Sequence, residues 1–197
     1  MKSKFLKFSV LCLSFIAMTL TFTSCAKDDD VFDPIAQFDK EQPIIEAYVK
    51  QHYPKMKLSS DTTGIWYEIL EEGNHESYTY KVVDTVTTSY TGKALRSPTV
   101  TVRYTGKLVS DNSVFQTNQS EEGLTNKVNG FISCWYYAFV PKSIQQYSIG
   151  GLTQLGLKKG SKIRIVSPSY YCYGNNSVGN IPPNSPLYFE IEVVDIK

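Results

Sequence analysis

Histidine is scarce in this chain. His52 and His75 are the only two in 197 residues, and neither stands beside a cysteine or a second histidine. Neighbouring residues therefore offer no His/Cys ligand set for a metal. His52 falls on a helical face and reads as structural, while His75 sits in a loop and reads as solvated. A nucleophile elbow, a Ser-His-Asp arrangement and a glycine-rich phosphate loop are all missing, and Gly150-Gly151 alone does not make one. Excess charge of one sign is lacking too. The formal net charge is +1, and beyond Ser24 the chain carries 17 basic against 19 acidic residues, a net of −2. That balance gives no footprint for nucleic acid. Internal repeats and low-complexity tracts are absent, which excludes solenoids. Metal-dependent, covalent and phosphoryl chemistry are thus without candidates, and no cofactor is expected.

Hydrophobic residues, by contrast, make up 42% of the chain and aromatics 13%, with 14 Tyr and 10 Phe. Such tyrosine weighting suits sheets and half-wet surfaces. At the N-terminus Lys2, Lys4 and Lys7 precede an apolar run from Phe8 to Phe22. This is the layout of a secretory signal. The run is interrupted by Ser9, Ser14 and Thr19, and is short against the ~20 apolar residues of a spanning helix. It closes on Phe22-Thr23-Ser24-Cys25. That ending resembles the bacterial lipoprotein signal, which implies lipidation of Cys25 and removal of residues 1–24. The Lys27-Asp28-Asp29-Asp30 that follows resembles the surface-export signal of Bacteroidetes lipoproteins; a solvated acidic tether is the plainer alternative. The expectation is an outer membrane lipoprotein held by the lipid on Cys25, with surface display and a periplasm-facing orientation both open.

Residues 25–57 read as a tether followed by an N-terminal helix near 43–52, opened by Pro43 in its first turn, with Ile44, Ile45, Tyr48, Val49 and His52 on one face. The remainder, 58–197, reads as one domain with insertions near 74–97 and 119–135. Strand candidates are 64–70 and 78–88. Val100, Val102 and Tyr104 alternate with Thr101, Arg103 and Thr105 before Gly106 and an Asp111-Asn112-Ser113 turn. Ile163 and Ile165 alternate with Lys162 and Arg164, and Leu187, Phe189, Ile191 and Val193 with Tyr188, Glu190 and Glu192. Period-two alternation marks strands with one dry face. Between the last two lies a loop with Tyr173-Gly174 and Ile181-Pro182-Pro183-Asn184, and a Pro-Pro pair cannot join a ladder.

The string Tyr173-Gly174…Ile181-Pro182-Pro183-Asn184-x-x-Leu187-x-Phe189-x-Ile191-x-Val193, together with Tyr104-Thr105-Gly106 and Phe115 in the same order, resembles the FKBP-type peptidyl-prolyl isomerases. The resemblance implies an α+β fold: an antiparallel sheet of five or six strands wrapped on one short helix near 150–157. It implies isomerisation of X-Pro bonds in proline-containing polypeptides. The barrier to that rotation is ~18–20 kcal/mol. Lowering it needs no nucleophile, only a dry aromatic pocket and a donor for the twisted carbonyl.

Carried over by motif, Tyr104, Phe115, Tyr173, Ile181 and Phe189 match the family's catalytic pocket, with the Tyr173 hydroxyl donating to the substrate. Gln116, Tyr137, Phe139, Leu152 and Val178 would complete substrate binding, Tyr137 and Phe139 as a Phe-x-Phe-like strand. Two departures stand out. The family has Asp where this chain has Gln116. Its helix begins Val-Ile-x-Gly-Trp, and aligning Ile149-x-Gly151-Leu152 to it puts Leu152, or without a gap Gly150, where the tryptophan floor belongs. Three readings stay open: a membrane-anchored isomerase or folding factor for exported proteins, a non-catalytic lipoprotein binding a peptide or partner through the same groove, and a structural envelope lipoprotein. Cys134 and Cys172 form an even pair that permits a disulfide in an exported protein, and two free thiols are the preferred expectation.

Overall fold

A computed structural model describes residues 32–59, 63–86 and 91–197. The leader, Cys25 and the start of the tether lie outside the described residues. The architecture belongs to one unit, Asp33–Lys197. In chain order it comprises α1 (Pro34–His52), β1 (Lys57–Leu58), β2 (Trp66–Glu71), β3 (Val82–Val86), β4 (Thr91–Leu95), β5 (Thr99–Leu108), β6 (Val114–Asn118), β7 (Leu124–Lys127), α2 (Ser133–Phe139), β8 (Ser143–Ile144), β9 (Tyr147–Ser148), β10 (Lys162–Ser167) and β11 (Leu187–Ile196).

The main sheet runs β1-β2-β10-β11-β5-β6, antiparallel throughout, and β7 pairs with the first half of β5 along the edge whose second half takes β6. An α+β antiparallel sheet on one short helix is therefore what the chain builds. Its alternation sorts residues onto two faces. Val102, Tyr104, Ile163, Ile165, Leu187, Phe189 and Ile191 enter the large core with α2. Val166 and Tyr188 face the other way, into a smaller core with Ile45, Tyr48 and Val49 of α1.

The short helix is not where the sequence placed it. Residues 150–157 contain no helix, because Gly150 (φ 90°) and Gly156 (φ 69°) adopt the left-handed region that breaks one. The helix is α2, which starts at the end of the stretch expected as an insertion and runs through the Tyr137–Phe139 stretch expected as a strand. It buries Cys134, Trp135, Ala138 and Phe139 along one face, starts where the Ile132 carbonyl accepts the N–H of Trp135 (3.0 Å) and Tyr136 (3.1 Å), and ends at Val140 before Pro141. The rest of 119–135 is also ordered into the sheet through β7, with Val128 fully buried behind it. In 74–97 the chain forms the β3–β4 hairpin. Its entry is held by the Tyr80 hydroxyl, within 2.7 and 2.8 Å of the Phe139 and Leu157 carbonyls.

At the other end α1 begins nine residues earlier than expected, at Pro34, inside the segment read as tether. Asp33 caps it, accepting the N–H groups of Ile35 (2.8 Å) and Ala36 (3.2 Å), and Pro34 takes the first turn. Pro43, read as the helix opener, sits inside it on the exposed side. The buried stripe is Glu41, Ile45, Tyr48 and Val49, while Ile44 and His52, expected on that face, are exposed.

Candidate functional site

Aromatic rings converge where α2 packs on the sheet, and Trp135 is their hub. Its ring lies 5.0 Å edge-on from Tyr104 of β5, 5.4 Å edge-on from Phe189 of β11 and 5.0 Å from Phe131. Phe115 of β6 continues the set, edge-on to Phe189 at 5.8 Å. Edge-to-face pairs at such separations suit the ring quadrupoles. Tyr104 and Phe189 are neighbours because β5 and β11 pair antiparallel with Phe189 opposite Gly106 and Ile191 opposite Tyr104. Gly106 is required there: a Cβ on it would run into the Phe115 ring. A tryptophan thus stands at the centre of the aromatic set. Phe131-Ile132-Ser133-Cys134-Trp135 stands in the place of Val-Ile-x-Gly-Trp, with cysteine for glycine. Leu152, expected as the floor, is fully buried, tied by its N–H to the Tyr137 carbonyl of α2 (2.8 Å), and Gly150 lies in the irregular segment beside it.

The loop after β10 supplies the remaining members. It folds on itself: Gly174 N–H donates to the Ser169 carbonyl (2.8 Å), Asn184 N–H to the Gly174 carbonyl (2.8 Å), and Val178 and Ile181 exchange both backbone hydrogen bonds (3.0 and 2.9 Å). This turns Ile181 inward to 4% exposure, while Pro182, Pro183 and Val178 stay outside. Tyr173 is half-buried against the large core. Burial pushes its phenol up, with Cys172, Cys134 and Tyr104 adding in the same direction, so the hydroxyl stays protonated as a donor. Among the described residues no side-chain partner takes that proton. Trp135 Nε1 is likewise buried without a hydrogen-bond partner. Burial also raises the Tyr104 phenol.

Other expected members sit differently. Phe139 is not in a strand: it is the last residue of α2, fully buried and stacked on Phe131 at 5.8 Å, which makes it core. Tyr137 lies on the same helix and meets Tyr171 edge-on at 5.7 Å, beside the loop. Gln116 is on β6 opposite Gly106 and exposed, and its side chain makes no hydrogen bond to Tyr104 among the described residues. Cavities of about 570, 740 and 410 Å³ open elsewhere; the first is lined by Tyr67, Leu152 and Thr153, and none of the three includes Tyr104, Trp135, Tyr173 or Phe189. No cluster of three or more potential metal ligands occurs among the described residues.

Trp135 is the member that sequence reasoning missed. Its signal lies two residues before Tyr137, masked by Cys134 where the motif has glycine.

Residues 90–194 match the profile of the FKBP-type peptidyl-prolyl cis-trans isomerase family. The chain is 28% identical over 167 residues to the FKBP-type peptidyl-prolyl cis-trans isomerase FkpA of Escherichia coli K12, covering 82% of this chain and 50% of that protein. It is 33% identical over 140 residues to a probable FKBP-type isomerase of Haemophilus influenzae, covering 71% and 45%. The chain spans about half the length of the curated relatives it matches. The crystal structure of E. coli FkpA superposes with a TM-score of 0.51 at 28% identity, over 83% of this chain and 64% of that one. A peptidyl-prolyl isomerase of Pseudomonas syringae pv. tomato DC3000 shares the fold, with a TM-score of 0.53 at 23% identity over 85% and 98%.

Proposed function

The chain belongs to the FKBP-type peptidyl-prolyl cis-trans isomerase family, and from that premise we propose that it isomerises X-Pro bonds in exported polypeptides while anchored to the membrane by a lipid on Cys25. The observation that carries the reading is the Trp135-centred set of rings, with half-buried Tyr173 packed against the same core and its hydroxyl without a side-chain partner among the described residues. Proline is the one residue whose side chain closes on its own amide nitrogen, so a pocket gripping that ring holds the rotating bond. Trp135, Phe189 and Tyr104 supply apolar edges. A twisted amide is less polar than a planar one, so a dry surround favours it over the ground state. In this reading the Tyr173 phenol donates to the carbonyl of the residue before proline, and the exposed Pro182-Pro183 segment forms the lip. Phe115 and Ile181 close the sides, with Val178 and Tyr137 at the rim.

The experiment is a protease-coupled or NMR exchange assay of cis/trans interconversion in a proline tetrapeptide, using the full chain in detergent. Accelerated exchange that drops at least tenfold in Trp135→Ala supports the reading. No acceleration by the folded wild type refutes catalysis. Gln116 favours one alternative: without a carboxylate beside Tyr104 the same groove binds proline segments without turning them over, which would appear as peptide binding with no rate enhancement.

Anchoring and an outer membrane location, surface-exposed or periplasm-facing, rest on the leader and Thr23-Ser24-Cys25. Cys25→Ala should abolish incorporation of labelled palmitate and release the protein from membranes. A variant that still takes up label would end that reading.

A further inference from the structure

We propose that Cys134 and Cys172 form a reversible disulfide that clamps the Tyr173 loop to the helix carrying Trp135. The two sulfurs face each other at 3.5 Å, from positions 38 residues apart, and both are free thiols here. Cys134 is fully buried at the second position of α2, directly before Trp135. Cys172 is half-buried directly after the turn Ser169–Tyr171 and directly before Tyr173. No other side-chain hydrogen bond between α2 and this loop occurs among the described residues, so the sulfur contact is the direct polar link between the two halves of the site. A disulfide needs ~2.05 Å between sulfurs. The present 3.5 Å separation therefore closes by about 1.5 Å on oxidation, with partly exposed Cys172 less confined than fully buried Cys134.

The exposures assign the order of events. Cys172, the accessible member, loses its proton to solvent and attacks one sulfur of a disulfide oxidant. This forms a mixed disulfide and releases the oxidant's other half as a thiol. Buried Cys134 then loses its proton and attacks the Cys172 sulfur, expelling the second half as a thiol. The protein gives up two electrons and two protons, and one oxidant disulfide becomes two thiols. The oxidant class is a small-molecule or protein disulfide, of the kind found where secreted proteins fold. This inference concerns the thiols and stands whether or not the site isomerises proline.

The folded full chain is equilibrated without denaturant in oxidised glutathione, quenched in acid, unfolded, alkylated and digested with trypsin. Segments 128–142 and 165–197 contain no internal tryptic site and each holds one of the two cysteines. They should be recovered joined, lighter than their sum by two hydrogen atoms, and separated by dithiothreitol. The melting temperature should be higher oxidised than reduced, and Cys172→Ser should erase that difference. Alkylation of both positions after oxidation, glutathione on each, or pairing with Cys25 would overturn the proposal. So would an unchanged melting temperature, which removes the clamp.

Discussion

Replacing Glu41 should test how the N-terminal helix supports the site. Glu41 is 1% exposed on α1 and has no cationic partner among the described residues. Its carboxylate instead accepts the Ser169 N–H (2.7 Å), the Ser169 hydroxyl (2.6 Å) and the Gln37 amide (2.7 Å). Ser169 in turn offers its carbonyl to the N–H groups of Cys172 and Gly174, both at 2.8 Å. The carboxylate therefore holds the base of the loop that carries Tyr173. Hydrogen bonds to a charged group contribute about 1.5–3 kcal/mol each, and a buried donor left without a partner costs about 1–3. Glu41→Ala orphans two buried donors on Ser169, for an expected loss of about 3–5 kcal/mol. Glu41→Gln keeps the volume and one acceptor for the Ser169 N–H, and its amide can donate to the serine oxygen. It should lose less than about 2 kcal/mol. In urea titrations followed by fluorescence the midpoint should move with the slope unchanged. The Ala variant should melt about ten degrees lower, at roughly 2–4 °C per kcal/mol for a domain of this size. An Ala variant within 1 kcal/mol of wild type would refute the reasoning, and so would a Gln variant as damaged as Ala.

Three further outcomes are expected. Tyr173→Phe should weaken turnover or proline-peptide binding roughly three- to tenfold, the scale of one lost hydrogen bond, with the melting temperature nearly unmoved; titration by isothermal calorimetry reads the affinity. Gly106→Ala should displace the Phe115 ring and lower stability by about 1–3 kcal/mol through overpacking, a loss that Phe115→Leu in the same chain should partly restore. Burial opposes the charge on Glu190, yet its hydrogen bonds to Arg164 (2.8 Å) and Tyr188 (3.1 Å) outweigh it and hold the carboxyl below its ordinary 4.5. The unfolded chain then binds the proton more readily, so this group's stabilisation is present above pH 4.5 and is lost as pH falls through the lower folded value. Glu190→Gln should be less stable than wild type at neutral pH and show a shallower acid decline in unfolding curves.

What the sequence determined by itself is the set of facts that depend on neighbours along the chain. Alternation in 100–104, 163–165 and 187–193 placed Tyr104 and Phe189 on one dry face, because successive side chains in a strand must point to opposite sides. The Ile181-Pro182-Pro183 signature located a loop that cannot enter the ladder. α2 escaped this reading because seven residues are too few to display a helical period, and because Cys134 occupied the glycine position of the motif. Its absence sent the floor to Leu152 and put Phe139 in a strand it does not form. The tether was misread in the same way: Asp33 and Pro34 are a cap and a first turn, but the apolar periodicity that reveals a helix begins only later. Tertiary structure alone decided the rest. Glu41 meets Ser169 across 128 residues and Cys134 meets Cys172 across 38. Neither pair shares any local pattern, since each is brought together by two faces of one sheet covered by different helices. Packing, which no short-range rule encodes, chose which of many polar and sulfur groups would be buried side by side.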